Sequence, residues 1–186
     1  MLRRTTRTLL ATLGVPLFAG AAVDLPPQYL PVYGGSGGTA YTRSCGAGYA
    51  LSGLRYRKGA TFDAVGILCR PILSDGHLGP ETTVGTLVGG GGGTVAIIHC
   101  PTGTIASGAE IDYATYLGRV ILYCRTWNAS TRTFGGTTSD VDTGFDLQPF
   151  KTAATELCEA AAQPVHAIRG RAGIYVDAFG LICDEP

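Results

Sequence analysis

Three copies of one segment, each carrying a pair of cysteines, constrain this chain more than any other feature. Within its 186 residues, the second cysteine of each pair follows the first after 24, 24 and 25 positions. The pairs are Cys45 with Cys69, Cys100 with Cys124, and Cys158 with Cys183. Two copies also open on a Gly-rich pentad, at 34–38 and 89–93. Such internal similarity predicts three equivalent supersecondary units around one core, so the fold needs a threefold arrangement.

The cysteines are predicted to form one disulfide within each copy. Six cysteines in an exported chain are typical of a disulfide framework, and of the roughly 15 possible pairings the repeat selects the one just given. Each bond closes a loop of about 25 residues and contributes about 3.5 kcal/mol in the chain-entropy model. Metal ligation is the alternative. It is disfavoured because no Cys-x-x-Cys motif occurs and the histidines, His77, His99 and His166, are scattered.

The N-terminus has the pattern of a secretory signal peptide. Arginines within the first seven residues precede an apolar stretch too short to span a bilayer, which ends in an Ala-x-Ala cleavage motif at 19–21. We therefore predict a signal peptide over 1–21 and a single secreted domain over 22–186, in a periplasmic or extracellular location. A retained membrane anchor or a disordered tail is the alternative.

The charge balance disfavours nucleic acid and anionic membranes as partners. The chain has 14 basic and 14 acidic residues, and signal cleavage would remove basic residues only. The mature domain is then slightly acidic and contains no basic run. No membrane insertion is expected after cleavage.

The mature chain is predicted to be all-β. Short β-branched and aromatic runs alternate with Gly, Pro, Asp and Asn, and glycine alone accounts for 28 residues. The repeats cover about 33–72, 88–127 and 144–186. The outermost strand of each unit is placed in the longer connections, 70–88 and 125–146. The stretch 152–162 has the alanines and glutamates of a helix, but it aligns with strand segments of the other copies, so a strand is predicted there.

Charged residues alternate along the middle strand predicted for each copy. They are Arg55 and Arg57 in copy one, Glu110 and Asp112 in copy two, and Arg169 and Arg171 in copy three. Alternation places both members of a pair on one face of the strand. Two interpretations stay open: a solvated sheet face whose charge varies freely, or electrostatic contact between faces or protomers.

Two motifs resemble the jacalin-related lectins. One is the Gly-Gly-x-Gly-Gly opening at 34–38, and the other is the ending Gly-x-x-x-Asp-Ala-x-Gly at 59–66 and 173–180. The layout of one disulfide per repeat departs from plant jacalins and resembles the vitelline membrane outer layer protein, which is also a β-prism. Over residues 33–183 the resemblance implies an all-β β-prism I of three four-stranded Greek-key sheets, with pseudo-threefold symmetry and one disulfide per repeat.

The resemblance also implies two sugar sites, because in these lectins the Gly-x-x-x-Asp loop binds sugar together with the Gly-rich loop of the next repeat. The first consists of Gly173, Ile174, Tyr175, Val176 and Asp177, closing onto Gly34, Gly35, Gly37 and Gly38. The second consists of Gly59, Ala60, Thr61, Phe62 and Asp63, closing onto Gly89, Gly90, Gly91, Gly92 and Gly93. A carboxylate can accept from two adjacent hydroxyls, and glycine lets backbone N–H groups approach a sugar ring closely.

A third site would combine the ending of copy two with the opening of copy three, and both of these motifs are missing. Copy two ends on 114–118, which lacks the Gly and the Asp, and copy three opens on 147–151, which lacks the glycines. Matched loss favours a shared role for the two halves over turn chemistry alone. A displaced opening at Gly135-Gly136 is the other interpretation.

Three functions are therefore compatible with the sequence. The resemblance implies a secreted, non-catalytic lectin that binds glycans or polysaccharide without a cofactor. In a structural or coat β-prism, by contrast, the glycine loops would be tight turns, and Asp63 and Asp177 would cap them. A glycosidase is disfavoured, because its paired carboxylates would lie on different faces of the prism and no Gly-x-Ser-x-Gly or His-bearing triad motif is present.

Overall fold

A computed structural model describes residues 25–144 and 152–186, which form three antiparallel β-sheets. The predicted signal peptide over 1–21 and the copy-three opening over 147–151 lie outside the described residues. Within the described part of the chain no helix is long and apolar enough to cross a membrane. The all-β prediction is confirmed.

Thirteen strands of the described residues build these sheets. They are β1 Gln28–Tyr29, β2 Tyr33–Gly34, β3 Thr39–Ser44, β4 Tyr49–Lys58, β5 Phe62–Pro71, β6 Thr82–Gly89, β7 Thr94–His99, β8 Thr104–Tyr113, β9 Leu117–Asn128, β10 Thr133–Asp142, β11 Thr152–Leu157, β12 Val165–Ala172 and β13 Val176–Cys183. Sheet 1 has the order β6-β5-β4-β7, and sheet 2 has the order β10-β9-β8-β11. Sheet 3 runs β13-β12-β3, with the short β1 and β2 both paired to β13. Since β1 and β2 share one edge, every sheet has four strand positions.

Each sheet takes strands from two copies of the repeat. Strand β7, the first of copy two, pairs with β4 of copy one. In the same way β11 of copy three pairs with β8 of copy two, and β3 of copy one pairs with β12 of copy three. The predicted prism of three four-stranded sheets is confirmed. A sheet differs from a sequence repeat, however, because the chain passes to the next sheet only after the first strand of each copy.

Apolar side chains from all three sheets form one core. Side chains alternate across a strand, so every second residue of the central strands points inward. Fully buried examples are Leu54 and Ile67 from sheet 1, Ile111 and Leu122 from sheet 2, and Ile168 and Phe179 from sheet 3. Burial of one such side chain stabilises the fold by about 1.5–3 kcal/mol. The core therefore holds the three sheets together and fixes where their connecting loops emerge.

Each disulfide joins two different sheets. The predicted pairs are confirmed: Cys45 with Cys69, Cys100 with Cys124, and Cys158 with Cys183. Cys45 follows β3 of sheet 3, whereas Cys69 lies on β5 of sheet 1. The second bond likewise links sheets 1 and 2, and the third links sheets 2 and 3. Because the first strand of each copy pairs with the sheet of the preceding copy, a strand exchange, three disulfides within repeats connect all three sheets in a closed ring.

The stretch with helical composition begins as an edge strand. Strand β11 pairs with β8 from Thr152 opposite Tyr113 to Leu157 opposite Gly108. Its alanines and glutamate lie on a largely exposed edge, where inter-strand hydrogen bonds decide the backbone conformation and intrinsic propensity counts for little. The strand predicted from the repeat is confirmed over Thr152–Leu157, and the stretch 158–162 continues as a loop and turn without strand pairing.

Candidate functional site

Loops from all three copies meet at one end of the prism. The β4–β5, β8–β9 and β12–β13 turns lie there beside the glycine loops that precede β3 and β7. A Cβ atom added to Gly35 would lie 2.3 Å from the carbonyl oxygen of Thr115, and one added to Gly90 would lie 2.3 Å from that of Ile174. Each of these two glycine loops is therefore flanked by loops from two other segments.

Site one, defined as Gly173–Asp177 with Gly34–Gly38, is brought together by the fold. Strand β2 pairs with β13, and the Gly35 N–H donates to the backbone carbonyl of Asp177 at 2.8 Å. A Cβ atom at Gly37 would lie 2.3 Å from Asp177 Oδ1, and one at Gly38 would lie 2.6 Å from Oδ2. The carboxylate therefore packs directly on the glycine backbone, which no larger residue permits.

Site two, defined as Gly59–Asp63 with Gly89–Gly93, repeats this arrangement. The Gly90 N–H donates to the backbone carbonyl of Asp63 at 2.7 Å. A Cβ atom at Gly92 would lie 2.3 Å from Asp63 Oδ1, and one at Gly93 would lie 2.4 Å from Oδ2. Asp63 and Asp177 thus each lie against the glycine loop expected for them.

Both aspartates are buried, and the fold leaves one carboxylate oxygen of Asp177 without a partner. Asp63 and Asp177 are each only 7% exposed. No side-chain hydrogen bond or ion pair joins either carboxylate to another described residue, and Asp177 Oδ2 is a buried oxygen without a partner. Because a turn-capping aspartate bonds to nearby N–H groups, this arrangement does not fit a purely structural cap.

Two arginines donate hydrogen bonds to the backbone carbonyls of the glycine loops. Arg171 Nε donates to the Gly37 carbonyl at 2.8 Å, and its Nη2 donates to that of Gly38 at 2.7 Å. Arg57 makes the same pair of bonds to Gly92, at 2.7 Å, and to Gly93, at 3.2 Å. These bonds occupy carbonyl oxygens and fix the course of each loop.

We call each of these arginines, Arg57 and Arg171, the clamp of its glycine loop. Neither interpretation of the alternating charges included such a clamp. A signal was present in the sequence, because the copies with arginine at this position supply Gly-x-x-x-Asp loops, whereas copy two has Asp112 there. What the sequence lacked was the strand exchange, which places Arg57 of copy one beside the glycine loop of copy two.

Copy two carries an ion-pair cluster near the corresponding turn. Arg119 forms a bidentate bond to Asp142, with Nη2 and Oδ2 2.6 Å apart, and its Nη1 lies 3.8 Å from Asp112 Oδ2. The hydrogen bond from Arg119 holds the pKa of Asp142 below its ordinary value. Asp112, which corresponds in the repeat to Arg57 and Arg171, thus faces the guanidinium of Arg119. Gly135 and Gly136 lie within edge strand β10, so they are not a displaced opening.

The loop of copy two nevertheless borders site one. The rings of Tyr116 and Tyr175 lie 5.0 Å apart, and Ile174, which is 75% exposed, lies beside Gly90 of site two. Loop 173–177, which is part of site one, therefore also contacts site two. Sequence reasoning missed Tyr116, because repeat spacing shows which loops correspond and not which side chains meet.

The two sites present the same chemical groups. Each offers one carboxylate that lacks a side-chain partner, beside a glycine backbone that a ligand can approach closely. Among the described residues there is no group of three or more His, Cys, Asp or Glu that could hold a metal ion.

Several solved structures share this architecture. Malaysian banana lectin is 20% identical, with a TM-score of 0.56 over 87% of this chain and 100% of its own. AcmJRL, a mannose binding jacalin related lectin from Ananas comosus, is 20% identical, with a TM-score of 0.55 over 86% of this chain and 99% of its own. Calystegia sepium agglutinin is 18% identical, with a TM-score of 0.55 over 93% of this chain and 100% of its own. No protein-family model and no curated protein matches the chain.

The fold defined by these observations is the jacalin-like β-prism. The predicted resemblance to jacalin-related lectins is confirmed at the level of the fold, and it extends over most of the chain. At these identities the likeness concerns architecture, and function resides in the residues of the site.

Proposed function

We propose that this protein is a secreted, non-catalytic lectin with two carbohydrate sites of one design. The observation that carries the proposal is the carboxylate of Asp177, which is buried, has no hydrogen-bond partner among the described residues and packs against a glycine loop. A buried charge without partners is costly unless something supplies the missing donors. A ligand with several hydroxyl groups supplies them.

Sugar hydroxyls fit this acceptor better than a cation does. Two neighbouring hydroxyls on one ring can donate to the two oxygens of a single carboxylate, as charge-assisted bonds. A Ca²⁺ ion needs about six to eight oxygen ligands, and each site offers one carboxylate. Repetition of the same geometry at Asp63 supports a common function for both sites.

The named neighbours support the same class of ligand. AcmJRL is described as mannose binding, and Calsepa lectin has been solved in complex with a bisected glycan. We extend this to the present chain only as a class, a hexose at the end or within a glycan.

Secretion and the absence of catalysis belong to the same proposal. Three disulfides persist in oxidising compartments, which agrees with the predicted signal peptide. Glycoside hydrolysis generally needs two carboxylates flanking the scissile bond. Each site here contains one.

The proposal is tested by Asp177→Asn and Asp63→Asn in the mature protein. Both changes keep the side-chain shape and remove the charge, so each should weaken its own site at least tenfold. After a glycan array selects the sugar, calorimetric titration should give about two sites for the parent, about one for each single variant and none for the double variant. Asp140→Asn, at an exposed aspartate of β10, is the matched control.

Unchanged binding by the double variant would reassign these loops to turns. Binding to no glycan on the array would favour the structural β-prism, with the prism itself as the packing unit of a coat.

A further inference from the structure

We propose that site one continues into the cleft between strands β3 and β6, where it holds further rings of an oligosaccharide. This inference rests on the proposed function. It adds that site one recognises a short glycan chain through an extended subsite, and it names the corner between sheets 1 and 3 as that subsite.

The cleft has a volume of about 610 Å³ and is continuous with site one. Its near end is lined by Gly38 and Gly173, and Asp177 Oδ2 lies within 3.8 Å of the Cβ position at each of these glycines. Its walls are β3, over Thr39–Arg43, and the end of β6 at Val88 and Gly89. A volume of roughly 300–1,000 Å³ is usual for ligand sites.

The far end of the cleft is closed by a side chain. Arg43 Nε donates to the Thr86 carbonyl across the corner at 3.4 Å. From Thr39 to Arg43 an extended strand covers about 14 Å. The space between Asp177 and the arginine therefore suits a chain of two or three sugar rings.

The walls offer what a polyhydroxylated chain needs. Strands β3 and β6 are the outer strands of their sheets, so among the described residues their outer edges pair with no further strand. Such edges expose unpaired N–H and C=O groups, which can donate to and accept from sugar hydroxyls. Thr39 and Thr42, both exposed, add hydroxyls to these backbone groups.

The corner between β2 and β11, where sheets 2 and 3 meet, is filled by side chains and differs in this from the cleft at β3 and β6. There the Tyr33 hydroxyl donates to Glu156 Oε1, and the Tyr33 ring packs 5.2 Å from that of Tyr113. The hydrogen bond to Glu156 raises the pKa of Tyr33 to about 12. Side chains thus fill that corner, whereas the corner at β3 and β6 stays open between Arg43 and the unpartnered carboxylate oxygen of Asp177.

The test places a bulky side chain in the cleft and leaves Asp177 untouched. Thr42→Trp is made in the Asp63→Asn background, so that only site one is measured, and Ala40→Phe serves as a second cleft variant. The matched control is Ile97→Trp, because Ile97 holds the corresponding position on β7, three residues before its cysteine. Circular dichroism checks that each variant is folded.

Titration uses three sugar pairs: mannose with mannotriose, glucose with maltotriose, and galactose with galactotriose. In the Asp63→Asn background, the trisaccharide of the recognised sugar should bind at least fivefold more tightly than the monosaccharide. Both cleft variants should remove that gain and leave monosaccharide affinity unchanged, while Ile97→Trp should alter neither.

Two outcomes overturn the inference in distinguishable ways. Monosaccharide binding with no trisaccharide gain, or a gain that survives both cleft variants, overturns the cleft alone. Binding of none of the six sugars by the parent protein overturns the proposed function together with the cleft.

Discussion

Single glycines determine the geometry of both sites. The carboxylates of Asp177 and Asp63 occupy the space in which a side chain at Gly37 or Gly92 would begin. Since the nearest carboxylate oxygen would be only 2.3 Å from such a Cβ atom, even alanine would force the acid to move. These glycines are therefore required by close approach as well as by the turn.

Gly92→Ala should eliminate site two and leave site one intact. The new methyl group would displace the Asp63 carboxylate, so calorimetric stoichiometry should fall from about two sugars to about one. Gly136→Ala is the control, because a Cβ atom there meets nothing within 4 Å. Two full sites in Gly92→Ala would mean that the carboxylate is not the sugar acceptor.

At the scale of strands and loops, the arginine on the middle strand acts as a clamp for its neighbour. Arg57 on β4 and Arg171 on β12 each bond to the carbonyls of a glycine loop. A loop held in its binding conformation loses less conformational entropy when the ligand arrives. If the proposed sites bind sugar, the middle strand contributes through its arginine without contacting the ligand itself.

Arg57→Ala should weaken site two about tenfold, which corresponds to about 1.4 kcal/mol. The loss arises because the glycine loop is no longer fixed, so site one should keep its affinity. Arg55→Ala is the control on the same strand and face, since no side-chain hydrogen bond joins Arg55 to another described residue. Titration of the Asp177→Asn background isolates site two; equal losses in Arg57→Ala and Arg55→Ala would argue against the clamp.

For the whole molecule, the ring of disulfides between sheets offsets the entropy cost of a glycine-rich chain. With 28 glycines, the unfolded state has unusual backbone freedom. Every bond spans two sheets and closes a loop of about 25 residues, which restricts the unfolded state. The prism is held by its core and by this ring together.

Replacing Cys45 and Cys69 by serine should lower the free energy of unfolding by about 3 kcal/mol. The corresponding fall in Tm is about 6–12 °C for a domain of this size. The same changes at Cys100 with Cys124 should give a similar loss, because the two bonds are equivalent in the fold. Chemical denaturation measures both; a change below about 1 kcal/mol would show that the core alone suffices.

The sequence alone determined which segments of the three copies correspond to one another. Cysteine spacing identified the disulfide pairs, and the match of 152–162 to strands of the other copies outweighed its helical composition. The glycine openings and the Gly-x-x-x-Asp endings marked the segments of each site, and the resemblance to jacalin-related lectins implied which opening meets which ending. These features are local or periodic, so a single chain reveals them without any knowledge of packing.

Only the tertiary structure decided how the strands and loops of the three copies are distributed among the three sheets. Exchange of the first strand between copies makes each disulfide a link between sheets, and it places Arg57 behind a loop of the next copy. The contact of Tyr116 with Tyr175 and the open corner at β3 and β6 also arise from sheets that are distant in the chain. Spacing specifies which positions are alike, whereas long-range packing of three twisted sheets specifies which side chains become neighbours.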